Sequence, residues 1–282
     1  MIWLSVDFDY FIREKIEWDW GHGESEFFRG TQMWTIREAQ ALAAGHSLRD
    51  DTNPDTYAKP KPLEFFETLQ GMGYDFSSTP VFVSDSHAFA YPTFCSLAKK
   101  KDRFLLNFDA HHDLGYKAST IKRHLKDKEC DCGDWLLMTL MRCRKVKGYV
   151  VYPPWLGMEE WDSTFGKIKK GTEHGALYEK TIKTLATPFV WKPAVVKTFA
   201  KKVDCVFICR SGSWVPPWHD QLFIDFVESL TNITGGTALN VYTSHEHVDP
   251  LIPREYSWEE AKALGEQFKR MSEVPHGKVQ VA

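Results

Sequence analysis

Residues 103–113 read RFLLNFDAHHD: an apolar, strand-like run that ends in two carboxylates and two imidazoles. A buried charge is costly unless it is paired or metal-bound, so ionisable groups crowded at the end of a hydrophobic strand call for a chemical reason. The same local pattern recurs along the chain. Short apolar runs at Ile2 to Phe8, Pro80 to Ser84, Arg103 to Phe108, Lys147 to Tyr152, Asp204 to Cys209 and Ala238 to Thr243 predict strands. Between them, Thr31 to Ala44, Lys61 to Met72, Ala88 to Lys100, Trp135 to Arg144, Asp220 to Leu230 and Ser257 to Met271 predict helices, the last entered by Ser257-x-x-Glu260. This βαβ rhythm, with continuously apolar strands, predicts an α/β fold: three layers, α-β-α, around a mainly parallel sheet. In such sheets, ligands bind beyond the carboxyl ends of the strands.

The 282 residues carry no internal repeat or linker, so a single catalytic domain over 1–282 is expected. Lys and Arg total 35 against 38 Asp and Glu, a net charge of -3 that argues against nucleic-acid or anionic-membrane partners. No apolar run approaches a membrane span, and the opening MIWLSVDFDYF is too acidic and short for a signal peptide, which points to a cytoplasmic protein. The six cysteines then read as reduced thiols, and Cys130-Asp131-Cys132 as a surface loop. The lysine-rich stretches Lys99 to Asp102 and Lys167 to Gly171 read as solvated loops.

Three predicted strand ends carry ligand-type groups. In extended chain, side chains at i and i+2 point the same way, so Asp109, His111 and Asp113 are expected to face one side, as are Asp7 and Asp9. Ser84-Asp85-Ser86-His87 adds another imidazole. Asp7, Asp9, His87, Asp109, His111 and Asp113 thus offer four carboxylates and two imidazoles. Four such charges balance two divalent cations, and oxygen with imidazole ligands favours manganese, zinc or iron. Against this stands the plainer reading of each pair as a helix cap or an ordinary packed histidine.

These residues carry a resemblance. DAHHD at 109–113 looks like the Asp-Ala-His-x-Asp signature of the ureohydrolases, the arginase and agmatinase superfamily; SVDFD at 5–9 resembles their Ser-x-Asp-x-Asp signature, and SDSH at 84–87 is a degraded likeness of Gly-Gly-Asp-His. The resemblance implies an arginase- or deacetylase-like fold and two Mn2+ ions bridged by Asp109 and Asp7, with His87 and Asp113 completing one and His111 and Asp9 the other. The motif order departs from the family, since Ser-x-Asp-x-Asp stands first here and last there, as in a circular permutation. At the family's usual place for it, the strand ending at Cys209 runs into RSGSWVPPWHD, which has no aspartate pair.

With WDWGH at 18–22 and CGDW at 132–135, the pattern resembles the peptide arginases of ribosomally made, modified peptide pathways, whose partner is an arginine-containing precursor peptide. That likeness implies conversion of arginine side chains to ornithine, with release of urea. It also implies a carboxylate that grips the guanidinium, for which Glu246 in TALNVYTSHEHVDP is the candidate, flanked by His245 and His247. Asp113 can relay the proton that the departing amine needs. His22 and Asp134 are candidates for proton transfer or substrate contact, and loop tryptophans Trp20, Trp155, Trp214 and Trp218 for substrate contact along a peptide groove. Rival expectations are a hydrolase of free arginine, agmatine or another small guanidino compound, a metal-dependent deacetylase, and a non-catalytic binding protein with structural metals.

Overall fold

The computed structural model describes residues 2–13, 31–98, 103–143, 145–166, 184–241 and 248–273. Among them, strands β1 (Ile2–Asp7), β2 (Val81–Ser84), β3 (Arg103–Phe108), β4 (Val146–Tyr152), β5 (Ala186–Val190), β6 (Val203–Cys209) and β7 (Ala238–Asn240) form one sheet. Its order is β5-β4-β3-β1-β6-β2-β7, with every pairing parallel. The helices that matter below are α1 (Thr31–Ala43), α2 (Phe65–Gly71), α3 (Ala90–Leu97), α4 (Ala118–Asp127), α5 (Trp135–Arg142), α6 (Asp220–Thr234) and α7 (Trp258–Glu273).

Alternation along the strands divides the core into the two outer interfaces of a three-layer α/β fold. Ile2, Leu4, Val6, Leu106, Val206 and Ile208 pack with Phe65, Phe66 and Leu69 of α2 and with Phe223, Phe226 and Leu230 of α6. The alternate residues Trp3, Leu105, Cys205 and Phe207 pack with Phe94 of α3 and with Leu136, Leu137 and Leu140 of α5. Both faces are covered, which is why the strands read as unbroken apolar runs. Burying each such Leu or Phe contributes about 1.5–3 kcal/mol.

The expected strands are all present, and the structure adds what their sequence hid. The unforeseen β5 contains Pro188; a proline lacks the ladder donor and is tolerated at a sheet edge, which is where β5 lies. The unforeseen α4, ASTIKRHLKD, has few apolar residues in a mostly polar run and, among its described side chains, buries Ile121 and His124. The helices expected from Lys61 and Ala88 begin instead as 3-10 turns, Pro62–Glu64 and His87–Phe89, before continuing as α2 and α3. The Ser257 hydroxyl accepts the Glu260 N–H at 3.2 Å, as the Ser-x-x-Glu motif anticipates. None of the six cysteines forms a disulfide, and Cys130 and Cys132 are half-buried. No helix among the described residues is long and apolar enough to cross a membrane. The lysine-rich stretches lie mostly or wholly outside the described residues.

Parallel strands put all their carboxyl ends on one edge of the sheet, and the register makes the central ones level. Val6 pairs with Phe108, Asp7 with Cys209, and Ser84 with Cys209. The chain segments leaving β3, β1, β6 and β2 therefore start side by side.

Candidate metal centre

Asp7 is the last residue of β1, and the chain turns at once into a 3-10 segment, Phe8–Phe11, which Asp7 caps by accepting the Asp9 N–H. Asp109 to Asp113 follow the end of β3 in loop conformation, Asp113 with a left-handed φ of +49°. The i, i+2 alternation expected for these aspartates and histidines therefore does not operate, because the backbone stops being extended where the ligands begin. Turns, not pleat parity, converge the side chains.

Two groups result. In the first, His87 Nδ1 lies 3.0 Å from Asp7 Oδ2, 3.1 Å from Asp113 Oδ2 and 3.4 Å from Asp109 Oδ2. In the second, His111 Nδ1 lies 2.9 Å from Asp9 Oδ2 and 3.7 Å from Asp109 Oδ1. Asp109 thus spans both groups, one oxygen to each. Asp7 reaches the first group through Oδ2, while its Oδ1 accepts the Asp9 N–H at 3.2 Å. The six side chains named from the sequence are brought together, and all but His111 are at most 5% exposed. His111, 20% exposed at its side chain, is the solvent edge of the cluster.

The donor set fits divalent cations. His87 Nδ1 is buried and has no oxygen at a hydrogen-bonding angle, although three carboxylate oxygens crowd it. Adjacent ligands on an ion with bonds of about 2.0–2.2 Å sit about 3 Å apart, as these atoms do. The electrostatics agree. Burial, with Asp7 and Asp109 alongside, pushes the Asp9 carboxyl well above the usual carboxylate range, and burial beside Asp109 does the same to Asp113. Burial also works against ionised Asp109, but His111 and His87 outweigh it and hold that carboxyl below the range. Burial disfavours the His87 cation, yet Asp109, Asp113 and Asp7 keep it raised. Without added positive charge, four carboxylates this close hold protons between them.

A ring of supporting hydrogen bonds orients the ligands, and most of it went unread in the sequence. Ser5 Oγ lies 2.7 Å from His87 Nε2, so with Nδ1 turned to the carboxylates, Nε2–H donates to the serine. Trp135 Nε1–H donates to Asp113 Oδ2 at 2.5 Å and Asn107 Nδ2–H to Asp109 Oδ2 at 2.8 Å. The Ser211 hydroxyl donates to Asp7 Oδ2 at 2.5 Å from a left-handed φ of +53°. Such strained non-glycine conformations cost of order 1–3 kcal/mol and concentrate where a site is built. Ser5 lay within the Ser-x-Asp-x-Asp motif and Trp135 within CGDW, though neither was given this role, while Ser211 and Asn107 had no sequence signal beyond proximity to a strand end. The thiol of Cys209, level with Asp7, also stands beside Asp7 and His87. Trp214 lies against His111, ring centroids 4.5 Å apart.

The remaining candidates divide. Asp134 belongs to a separate group: its Oδ2 lies 2.6 Å from His124 Nδ1, and its Oδ1 accepts the Asp131 N–H at 3.0 Å. Its role there is to brace the loop ahead of α5 instead of presenting a free carboxylate to a substrate. Trp155 donates to the Tyr10 carbonyl at 3.1 Å and Trp218 to Thr52 Oγ1 at 3.2 Å, so both pack loops onto the body. His112 is buried against Tyr116, and its Nδ1 accepts the Leu114 N–H at 3.0 Å. Trp20, His22, His245, Glu246 and His247 lie outside the described residues. One acid the sequence did not single out is Glu160, which takes hydrogen bonds from the Tyr116 and Tyr152 hydroxyls. Burial pushes it up to about 7. No known protein family, curated protein or solved structure matches this chain, so the geometry of these side chains carries the functional reading.

Proposed function

We propose that the chain is a dinuclear metal hydrolase that cleaves arginine side chains in a peptide to ornithine and urea. The observation that carries the metal reading is Asp109, whose two oxygens belong to two different carboxylate–imidazole groups. Asp7, His87, Asp109 and Asp113 would hold one cation and Asp9, Asp109 and His111 the other, with Mn2+ the ion that the motif resemblance favours. Bound there, such ions would supply Lewis acidity and bring the pKa of a coordinated water towards neutrality.

The chain's own residues do the rest. A guanidinium is planar, cationic and resonance-stabilised, so it must be gripped and held in one orientation before water adds to its carbon. Glu246, four residues beyond Tyr242 in the segment after β7, is the carboxylate assigned to that grip. Asp113 would take a proton from the attacking water and return it to the departing nitrogen, leaving the ornithine amine and urea. Trp135 holds Asp113 by its Oδ2, leaving Oδ1 for that transfer. His22 and Trp20 remain proposed contacts of the substrate, while Asp134 braces the loop ahead of α5. The choice of a peptide over free arginine rests on the resemblance of WDWGH and CGDW.

The test is mass spectrometry of an arginine-containing peptide and of free arginine, each incubated with the purified chain and Mn2+. Urea release with an arginine-to-ornithine mass loss in the peptide alone is the expected result. Turnover of free arginine alone reassigns the chain to small guanidino compounds. With metals bound, failure on both across several peptides removes the hydrolase reading.

A further inference from the structure

Away from the carboxylate cluster, two thiols stand in contact. Cys95 Sγ on α3 and Cys143 Sγ, in the residue that caps α5, are 3.6 Å apart, both as free thiols. Cys95 is half-buried and Cys143 retains 8% exposure. They are 48 positions apart in sequence, with β3, α4 and α5 between them, so their meeting is a tertiary event. Both sulfurs sit on one interface: Phe94, beside Cys95, stacks on Trp135 of α5 at 6.0 Å. The sulfurs need to close by about 1.5 Å to reach bonding distance, within reach of side-chain rotation and a small helix shift.

We propose that Cys95 and Cys143 are a redox-active dithiol that peroxide closes to a disulfide, tying α3 to the end of α5. Cys143 is the attacking sulfur: the hydrogen bond from Cys95 lowers its thiol, burial opposes, and Arg142 and Arg103 add to the lowering. The thiolate displaces hydroxide from hydrogen peroxide to give a sulfenic acid. The Cys95 sulfur then attacks that sulfur, and water leaves as the S–S bond forms. Two thiols are oxidised by two electrons and one peroxide is reduced to two waters.

The position gives the bond a consequence. The turn before α3 carries His87, and α5 opens with Trp135, whose indole holds Asp113. A bond between these helices staples two supports of the cluster to each other.

The test uses the fully reduced full-length chain, exposed to hydrogen peroxide, then alkylated and mapped as peptides without reductant. The expected result is a cross-linked peptide pair containing Cys95 and Cys143, lighter by two hydrogens, with Cys130 and Cys132 still alkylated. The thermal midpoint should rise on oxidation and return with dithiothreitol, in wild type and in Cys130→Ser/Cys132→Ser, but not in Cys95→Ser or Cys143→Ser. The proposal is overturned if both thiols remain alkylated, if the cross-link runs through Cys130 or Cys132, or if Cys143 passes to sulfinic acid without a cross-link. None of these readouts depends on metal or on turnover.

Discussion

Asp109 is the residue on which the centre turns, because its two oxygens are divided between two groups. Asp109→Asn is expected to lose both metal equivalents and all turnover, while Asp9→Ala loses one equivalent and leaves the His87 group able to bind. Metal analysis of the purified variants reads both; full metal retention in Asp109→Asn would contradict the shared-ligand arrangement. Glu160 makes a separate prediction, about stability. Burial raises its carboxyl from the ordinary 4.5 to about 7, so between those values the folded chain binds a proton that the unfolded chain has released. Stability contributed by this group is therefore full below about pH 4.5 and falls as pH rises towards 7, by ~3 kcal/mol in all. Glu160→Gln has no such loss. Its stability relative to wild type should climb across that window in denaturant titrations and level off above it.

At the scale of elements, helices and turns hold the ligands in place from behind. The indole of Trp135, first residue of α5, fixes Asp113, and Ser5 of β1 fixes His87. Trp135→Phe and Ser5→Ala each remove one supporting hydrogen bond without touching a ligand atom. A loss of about 10–100-fold in metal affinity or activity is expected for each, with circular dichroism unchanged. The loop from Asp109 to Tyr116 also depends on Gly115. Its φ is +88°, its N–H donates to the Gly133 carbonyl at 2.7 Å, and a Cβ there would overlap the Ile121 side chain of α4. Gly115→Ala combines backbone strain with that overlap and should cost about 1–3 kcal/mol in thermal or denaturant unfolding. It should also loosen the loop that carries Asp109, His111 and Asp113, so metal affinity falls with stability.

For the molecule as a whole, the centre joins segments from distant parts of the chain: Asp7 and Asp9 after β1, His87 after β2, and Asp109 to Asp113 after β3. A cation that binds them in the folded state, and not in the unfolded chain, adds stability by mass action, about 2.7 kcal/mol at a hundredfold excess over its dissociation constant. Chelation is therefore expected to lower the thermal midpoint, and added Mn2+ to restore it in proportion to the logarithm of its concentration. An unchanged midpoint on chelation of a metal-loaded sample would mean that the cations do not tie these segments together.

How much of this was legible in the sequence follows from what is local. Apolar runs and turn residues act over a few neighbours, so Ile2 to Phe8, Pro80 to Ser84 and Arg103 to Phe108 could be read as strands, and the six ligand-type side chains recognised at their ends. Pro188 and the polar face of α4 hid two elements because their stability comes from the sheet edge and from packing, not from their own pattern. The convergence of the cluster depended on something no short window contains. Strand order places β3, β1, β6 and β2 side by side with level carboxyl ends. That order brings Ser211 to Asp7 and His87 to three carboxylates, and turns after each strand, one of them strained at Asp113, aim the side chains where pleat alternation would not. The sequence by itself determined which donor groups are available; the tertiary structure decided which atoms meet, because distances between ligands are set by strand pairing across the sheet and not by spacing along the chain.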